Sequence, residues 1–93
     1  MSGPKKKRRL VDTKEHATRA RVAGFLRELG DRIESGSVVL RQGEEEVTTE
    51  LPDALVLEIS LDEKDKGERG LKKSLEVEVE WYEGPGWNQI SLG

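Results

Sequence analysis

The stretch Leu75-Glu76-Val77-Glu78-Val79-Glu80-Trp81 decides the fold class, because apolar and acidic residues alternate along it without a break. A period of two places the apolar side chains on one face of a β-strand and the glutamates on the other. Strands with one apolar and one wet face are typical of antiparallel sheets. The sequence therefore predicts an antiparallel sheet whose other strands lie N-terminal to this stretch.

Three earlier segments carry strand patterns of decreasing clarity. Residues 55–62 alternate in the same way, residues 46–51 also alternate, and residues 37–41 contain a short apolar run. Gln42-Gly43-Glu44 is typical of a tight turn, and Pro52-Asp53 interrupts the pattern. A polar loop is predicted from Glu63 to Gly70, before the deciding stretch.

One helix is predicted before these strands, because apolar residues recur there at spacings of three and four. Its apolar stripe consists of Val22, Phe25, Leu26, Leu29 and Ile33. Thr18 is the predicted N-cap, with Asp12 and Thr13 as earlier alternatives. Gly36 is predicted to end the helix, since glycine readily adopts the left-handed conformation of a C-cap.

The predicted fold is a two-layer α+β domain, with one amphipathic helix packed on one face of a four- or five-stranded antiparallel sheet. Residues 7–14 are either a first strand or part of a tail, and the strand alternative gives the order strand, helix, four strands. The predicted organisation is a disordered basic arm at 1–6, a single domain at 7–82 and a C-terminal tail at 83–93.

Composition excludes several classes of function. The chain has 93 residues and no cysteine, so one small domain without disulfides or thiolate chemistry is expected. His16 is the only histidine, which rules out a multi-histidine metal centre. No run approaches the roughly 18 apolar residues of a membrane helix. We expect no cofactor, metal, small-molecule substrate or membrane, no enzymatic activity, and a cytoplasmic location.

The outward face of the predicted sheet is rich in acid. Its candidate partner-binding residues are Glu58, Glu76, Glu78 and Glu80. Facing like charges repel and lower stability unless something compensates them. This face is either a platform for a basic partner or a solvated surface that keeps strand edges from aggregating.

The N-terminus carries the opposite charge in one run. Its residues are Lys5, Lys6, Lys7, Arg8 and Arg9. Three interpretations stay open: a solvated or internally paired tail, contact with nucleic-acid phosphates, and nuclear import. Internal pairing requires residues 7–13 to form a strand, which would bring Arg8 or Arg9 beside Glu78.

The two tryptophans have different predicted roles. Trp81 is in phase with the apolar residues of its strand, so we expect it to pack on the core. Trp87 follows a flexible Gly-Pro-Gly segment and either docks on the domain or is an exposed anchor for a partner.

The order of these elements resembles the Amphi-Trp domain family, small bacterial and archaeal domains of uncharacterised function. The resemblance rests on Thr18-Arg19, on residues 25–29 of the helix, on the helix end Ile33-Glu34-Ser35-Gly36, and on the glutamate-rich strand that ends in Trp81. It covers residues 8–82 and implies a strand before the helix and a prokaryotic origin, in which nuclear import has no place. It brings no catalytic or ligand residue, and its signature positions here are Phe25, Leu29, Ile33 and Trp81.

The leading functional prediction is a non-enzymatic protein-interaction or structural module. An exposed strand edge invites β-addition by a protein partner or by a second copy of the chain. The alternative is a nucleic-acid accessory protein that contacts phosphates through its basic arm.

Overall fold

The structure is a computed structural model that describes residues 7–83. These residues form one α-helix, four strands and a short 3-10 helix. The chain divides into two compact units, the first extending to Leu51 and the second beginning at Pro52. The α+β class is confirmed, but the prediction of a single sheet is wrong, because the strands form two separate two-stranded antiparallel sheets.

The helix α1, Arg19–Ser35, begins and ends where the sequence predicts. Thr18 Oγ1 accepts a hydrogen bond from the Arg21 backbone N–H at 3.1 Å and so satisfies one free donor of the first turn. Gly36 has φ 90° and donates its N–H to the Arg32 carbonyl at 3.1 Å. Its left-handed conformation ends the helix and turns the chain into the first strand.

The first unit adds a hairpin to this helix. Strands β1, Ser37–Gln42, and β2, Glu45–Glu50, pair antiparallel around a turn at Gly43. Helix α1 contacts β1. Val38, at 6% exposure, is the only buried hydrophobic residue in the part of the chain that the structure describes. The predicted helix stripe is therefore only partly covered.

The second unit is a longer hairpin. Strand β3, Val56–Asp65, pairs antiparallel with β4, Leu71–Glu80, through ten consecutive residue pairs. The 3-10 helix Gly67–Arg69 connects them. The register is continuous, so alternating residues of both strands share one face along the whole hairpin.

Both strands of this hairpin run further than the sequence pattern predicts. The loop predicted from Glu63 to Gly70 is shorter, because Glu63 pairs opposite Lys73 and their Oε1 and Nζ atoms are 3.4 Å apart. The Asp65 carboxylate then accepts the Gly67 N–H at 2.8 Å and closes the turn. The ends of β3 and β4 carry polar side chains and so lack the apolar alternation that identifies a strand in the sequence. Charge pairing between the two strands stabilises them there instead.

The predicted strand before the helix is absent from the described residues 7–18. Leu10 and Val11 are the only apolar residues between positions 7 and 14, too few to form an apolar strand face. The segment contacts β1 through a side chain, since Gln42 Nε2 donates to the Asp12 carbonyl at 2.9 Å. The predicted five-stranded sheet therefore lacks its predicted first strand at residues 7–14.

The interruption at Pro52 explains why the strands form two sheets. Residues 51–55 contain no strand, and proline cannot donate a ladder hydrogen bond. Each strand pairs with its immediate neighbour in the chain instead. The predicted arm at 1–6 and the tail from residue 84 lie outside the described residues, and a single domain at 7–82 stays a prediction.

Candidate interaction surface

The β3–β4 hairpin presents a continuous row of apolar side chains, because directly opposed residues of an antiparallel pair lie on the same face. Its three opposed pairs are Leu57 with Val79, Ile59 with Val77, and Leu61 with Leu75. We call these six residues the apolar face. Ile59, Leu61 and Leu75 are 61%, 74% and 71% exposed. A contiguous exposed patch of this kind marks an interaction site more often than ordinary surface.

The opposite face of the hairpin is acidic. Glu58 lies directly across from Glu78, and Glu76 and Glu80 continue the row along β4. We call these four glutamates the acidic face. At the other end of the same face, Lys64 lies opposite Lys72. The hairpin is therefore polarised in two directions, from apolar to acidic across its faces and from basic to acidic along its length.

Three of these carboxylates crowd one another. Oxygen atoms of Glu58, Glu78 and Glu80 all lie within 4.8 Å of one another. A side-chain hydrogen bond with Glu78 raises the pKa of Glu80, and the negative charge of Glu78, slight desolvation and the charge of Glu58 raise it further. Like charges at this separation disfavour full ionisation. These carboxylates therefore repel one another when they are ionised.

Carboxylate oxygens at this spacing are also the ligand type of a hard cation. The three side chains are exposed, however, and exposed acidic groups commonly cluster without an ion. The cluster by itself therefore defines no metal site. The cluster does create a negative electrostatic potential, which would attract a positively charged group placed beside it.

Among residues 7–83, neither outer edge of the hairpin is paired with another strand. In the part of the chain that the structure describes, no third strand joins either sheet. The Lys66 N–H donates to the Gly70 carbonyl at 2.8 Å, and hydrogen-bonded pairs alternate from there along the ladder. Even-numbered residues of β4 therefore bond to β3, and odd-numbered residues turn their backbone groups toward the free edge.

The first unit offers a different concave region, a cleft of about 810 Å³ beside α1 and β1. Phe25, Leu29 and Val38 line it together with three arginines. Each arginine already has a carboxylate partner, and the three pairs are Arg21 with Glu15 at 3.4 Å, Arg32 with Glu28 at 4.0 Å, and Arg41 with Glu46 at 2.9 Å. The cleft consequently presents paired charges to a ligand.

Comparison with known proteins supports one assignment. The sequence profile of the Amphi-Trp domain family matches residues 4–91. The chain belongs to the Amphi-Trp domain family. The resemblance predicted over residues 8–82 is confirmed and extends further at both ends. Neither a curated protein nor a solved structure matches the chain significantly.

Membership leaves the function of this Amphi-Trp domain open, because the family is uncharacterised. It transfers no catalytic or ligand residues to this chain. The helix in the described part of the Amphi-Trp domain is not long and apolar enough to cross a membrane. Any functional assignment must therefore come from the surfaces themselves.

The basic run of the Amphi-Trp domain is only partly described. Lys5 and Lys6 lie outside the described residues, whereas Lys7 and Arg8 are exposed. Arg9 pairs with Asp12, with Nη1 and Oδ2 3.2 Å apart. Residues 7–13 form no strand, so the premise for pairing Arg8 or Arg9 with Glu78 fails.

The signature residues of the Amphi-Trp resemblance are exposed or half-buried. Phe25 is exposed, and Leu29 and Ile33 are half-buried. Trp81 directly follows β4, is half-buried, and lines a small recess with Tyr82 and residues from both strand ends. Its predicted core role stays a prediction. Trp87 lies outside the described residues.

Sequence reasoning missed two residues of this surface. Lys72 and Lys73 lie between the predicted loop, which ends at Gly70, and the alternating stretch that begins at Leu75, yet they belong to β4. The signal was the phase of the alternation, since Lys72 and Ser74 continue the even-numbered row of Glu76, Glu78 and Glu80. The row changes sign along its length, and its basic end lies outside the strand that the sequence predicts.

Proposed function

We propose that this Amphi-Trp domain is a non-enzymatic protein-interaction module that binds its partner through the β3–β4 hairpin. The observation that carries the proposal is the exposure of the apolar face, with Leu61 and Leu75 both more than two-thirds accessible. Complete burial of one aliphatic side chain contributes about 1.5–3 kcal/mol. Covering the face therefore supplies several such contributions, and the free edges add backbone hydrogen bonds.

The stability of the hairpin supports the same proposal. An isolated two-stranded hairpin is marginally stable in water and gains independent stability from further strands or from packing on one face. The apolar face is the surface on which such packing would act. The same contacts that bind a partner to the apolar face would therefore also stabilise the hairpin.

The remaining features support a non-enzymatic role. The carboxylates that crowd together, Glu58, Glu78 and Glu80, are exposed rather than held in a pocket that excludes water. The arginines of the cleft in the first unit are each occupied by a carboxylate. Active sites usually combine a pocket with convergent polar groups. The cytoplasmic location and prokaryotic origin stay predictions.

Site-specific photo-cross-linking in cells tests the proposal. A photoreactive amino acid replaces Leu61 on the apolar face, and the matched control replaces its neighbour Asp62, which points to the other face. We expect a discrete protein adduct from position 61 and none from position 62. The adduct should disappear with Ile59→Lys and persist with Ser60→Lys. Equal adducts from both positions, or none from position 61, would overturn the proposal.

A further inference from the structure

The free edge of β4 carries an asymmetric charge pattern. Lys72 and Lys73 lie near its N-terminal end, and Glu76, Glu78 and Glu80 lie at its C-terminal end. A second β4 that runs antiparallel along this edge places each basic end beside an acidic end. The strand is thus complementary to itself under a two-fold rotation, which is the symmetry of most dimers.

We propose that a second copy of this chain binds along the outer edge of β4, with the two-fold axis at Leu75. This inference rests on the proposed function and names a partner for the β4 edge of the same hairpin, whereas the apolar face stays open to the partner proposed above. In this register Leu75 faces its own symmetry mate, and Lys72 faces the partner's Glu78. The two hairpins together form one four-stranded antiparallel sheet.

The alternation of β4 restricts the possible registers. A slip of one residue would bring apolar and acidic residues onto the same face, which the pattern forbids. A slip of two residues toward the C-terminus would place Glu76 opposite itself, a directly opposed like-charge pair. The register centred on Leu75 avoids both and leaves Ser74 opposite the partner's Glu76.

The geometry of the edge fits this pairing. Odd-numbered residues of β4 direct their backbone groups outward, so Leu75 and its mate form a hydrogen-bonded pair. Lys72 and the partner's Glu78 then form a non-hydrogen-bonded pair, in which side chains approach most closely. Each ammonium group comes beside the partner's Glu78 carboxylate, which lies on the edge strand and belongs to the crowded cluster.

The outer edge of β3 fits a second copy less well. Its odd-numbered row ends in Glu63 and Asp65 rather than in lysine. Antiparallel pairing of two β3 edges centred on Leu61 would set Glu63 against the partner's Ile59 and Asp65 against its Leu57. On β4 the corresponding residue is Lys73, whose aliphatic stem can cover an apolar neighbour.

Charge reversal at the edge tests the contact. Lys72→Glu and Glu78→Lys should each weaken dimerisation about tenfold, because each creates like-charge pairs at two symmetry-related positions. The double variant should restore it. The matched controls are Lys64→Glu and Glu58→Lys, which lie directly opposite these residues on β3 and alter the hairpin's internal charges in the same way.

Sedimentation velocity over a range of concentrations measures the association, and circular dichroism confirms that each variant is folded. Weakening by the β4 reversals alone, with recovery in the double variant, supports the proposal. Equal weakening by the β3 reversals would overturn it. A monomeric wild-type chain at every concentration would also overturn it.

The absence of cysteine from the sequence allows a second test that does not depend on charge. Leu75→Cys should be joined to its symmetry mate by a short bismaleimide cross-linker, because the Cβ atoms of directly opposed residues lie only about 4.5–5.5 Å apart. A direct disulfide is a poorer probe, since it needs Cβ atoms about 3.5–4.5 Å apart and hydrogen-bonded pairs lie at the wide end of their range. Leu61→Cys, on the same face opposite Leu75, is the matched control and should stay unlinked.

The outcomes separate this inference from the function on which it rests. Rapid cross-linking of Leu75→Cys alone supports the two-fold edge contact. Failure of Leu75→Cys, or equal cross-linking of Leu61→Cys, overturns it. A further outcome is that Leu75→Cys stays monomeric while the photoreactive residue at position 61 captures a different protein on the apolar face. In that case the proposed dimer is wrong, and the proposed interaction module stands. If neither reaction occurs, both are wrong.

Discussion

Glu58 and Glu78 lie directly opposite each other across the β3–β4 ladder, with Glu80 close beside them. Opposed like charges destabilise a strand pair. This unfavourable contact lies at the acidic end of a hairpin whose apolar face is also exposed. Both features favour association with another chain, and each has measurable consequences.

The first prediction concerns the pH dependence of stability. The raised pKa of Glu80 means that the folded chain binds more protons than the unfolded chain as pH falls toward the ordinary value of 4.5. This group's contribution therefore makes the folded state more stable at lower pH. Glu78→Gln removes the main cause of the shift and should stabilise the monomer at neutral pH, measured at protein concentrations too low for dimerisation, by an amount that shrinks as pH falls.

Urea denaturation at several pH values measures this effect. Glu76→Gln is the matched control, because Glu76 lies opposite Ser60 rather than another carboxylate. It should show less stabilisation and a weaker pH dependence. A gain from Glu78→Gln that grows at low pH would contradict the role assigned to the cluster.

The second prediction concerns two glycines of the first unit. Gly36→Ala should lower the free energy of unfolding by about 1–2 kcal/mol, because φ 90° is unfavourable for a residue with a Cβ atom. Gly24→Ala should instead raise it by about 0.5–1 kcal/mol, since this helical position has nothing within 4 Å of an added Cβ. Thermal unfolding followed by circular dichroism compares the variants, and equal effects would contradict the assigned C-cap.

The third prediction concerns Val38, which is buried in the described part of the first unit. Val38→Ala should cost about 1.5 kcal/mol of stability, since two buried methyl groups are lost. Val39→Ala, one residue along β1 and exposed, should cost much less. Urea midpoints for the two variants give the comparison. Similar losses at both positions would show that the two faces of β1 are covered alike.

The fourth prediction separates the hairpin from the basic arm. Removal of residues 1–9 should leave cross-linking at Leu61 and Leu75 unchanged, because neither proposal uses the arm. The nucleic-acid alternative predicts binding that falls steeply with salt and is lost with the same truncation. Fluorescence anisotropy with a labelled duplex measures that binding. Loss of the protein contacts on truncation would contradict the assignment to the hairpin.

The elements of this fold were readable from sequence where a periodic pattern or a cap had a local physical cause. Thr18 and Gly36 define the helix ends through local hydrogen bonds and backbone conformation. The alternation from Leu75 to Glu80 predicts a strand with two unlike faces, and the hairpin has them. These features depend on near neighbours in the chain.

The assembly of those elements was not readable from sequence. The strand patterns in residues 37–62 are compatible with one sheet or with two. The chain forms two sheets, and Pro52 lies between their strands in the sequence. The ends of β3 and β4 were missed because Glu63 and Lys73 are polar, yet their pairing across the ladder extends both strands. A strand identified by its apolar residues is underestimated where charge pairing supports it.

Amide hydrogen exchange along β4 tests the central claim most directly. The N–H groups of Leu75 and Val77 point toward the free edge of β4, where the second copy is proposed to bind. The N–H group of Ile59 points toward the free edge of β3, on the other side of the hairpin. We predict that protection at Leu75 and Val77 rises with protein concentration while protection at Ile59 does not. Protection that is independent of concentration at all three amides, or that rises equally at Ile59, would contradict a partner on the β4 edge.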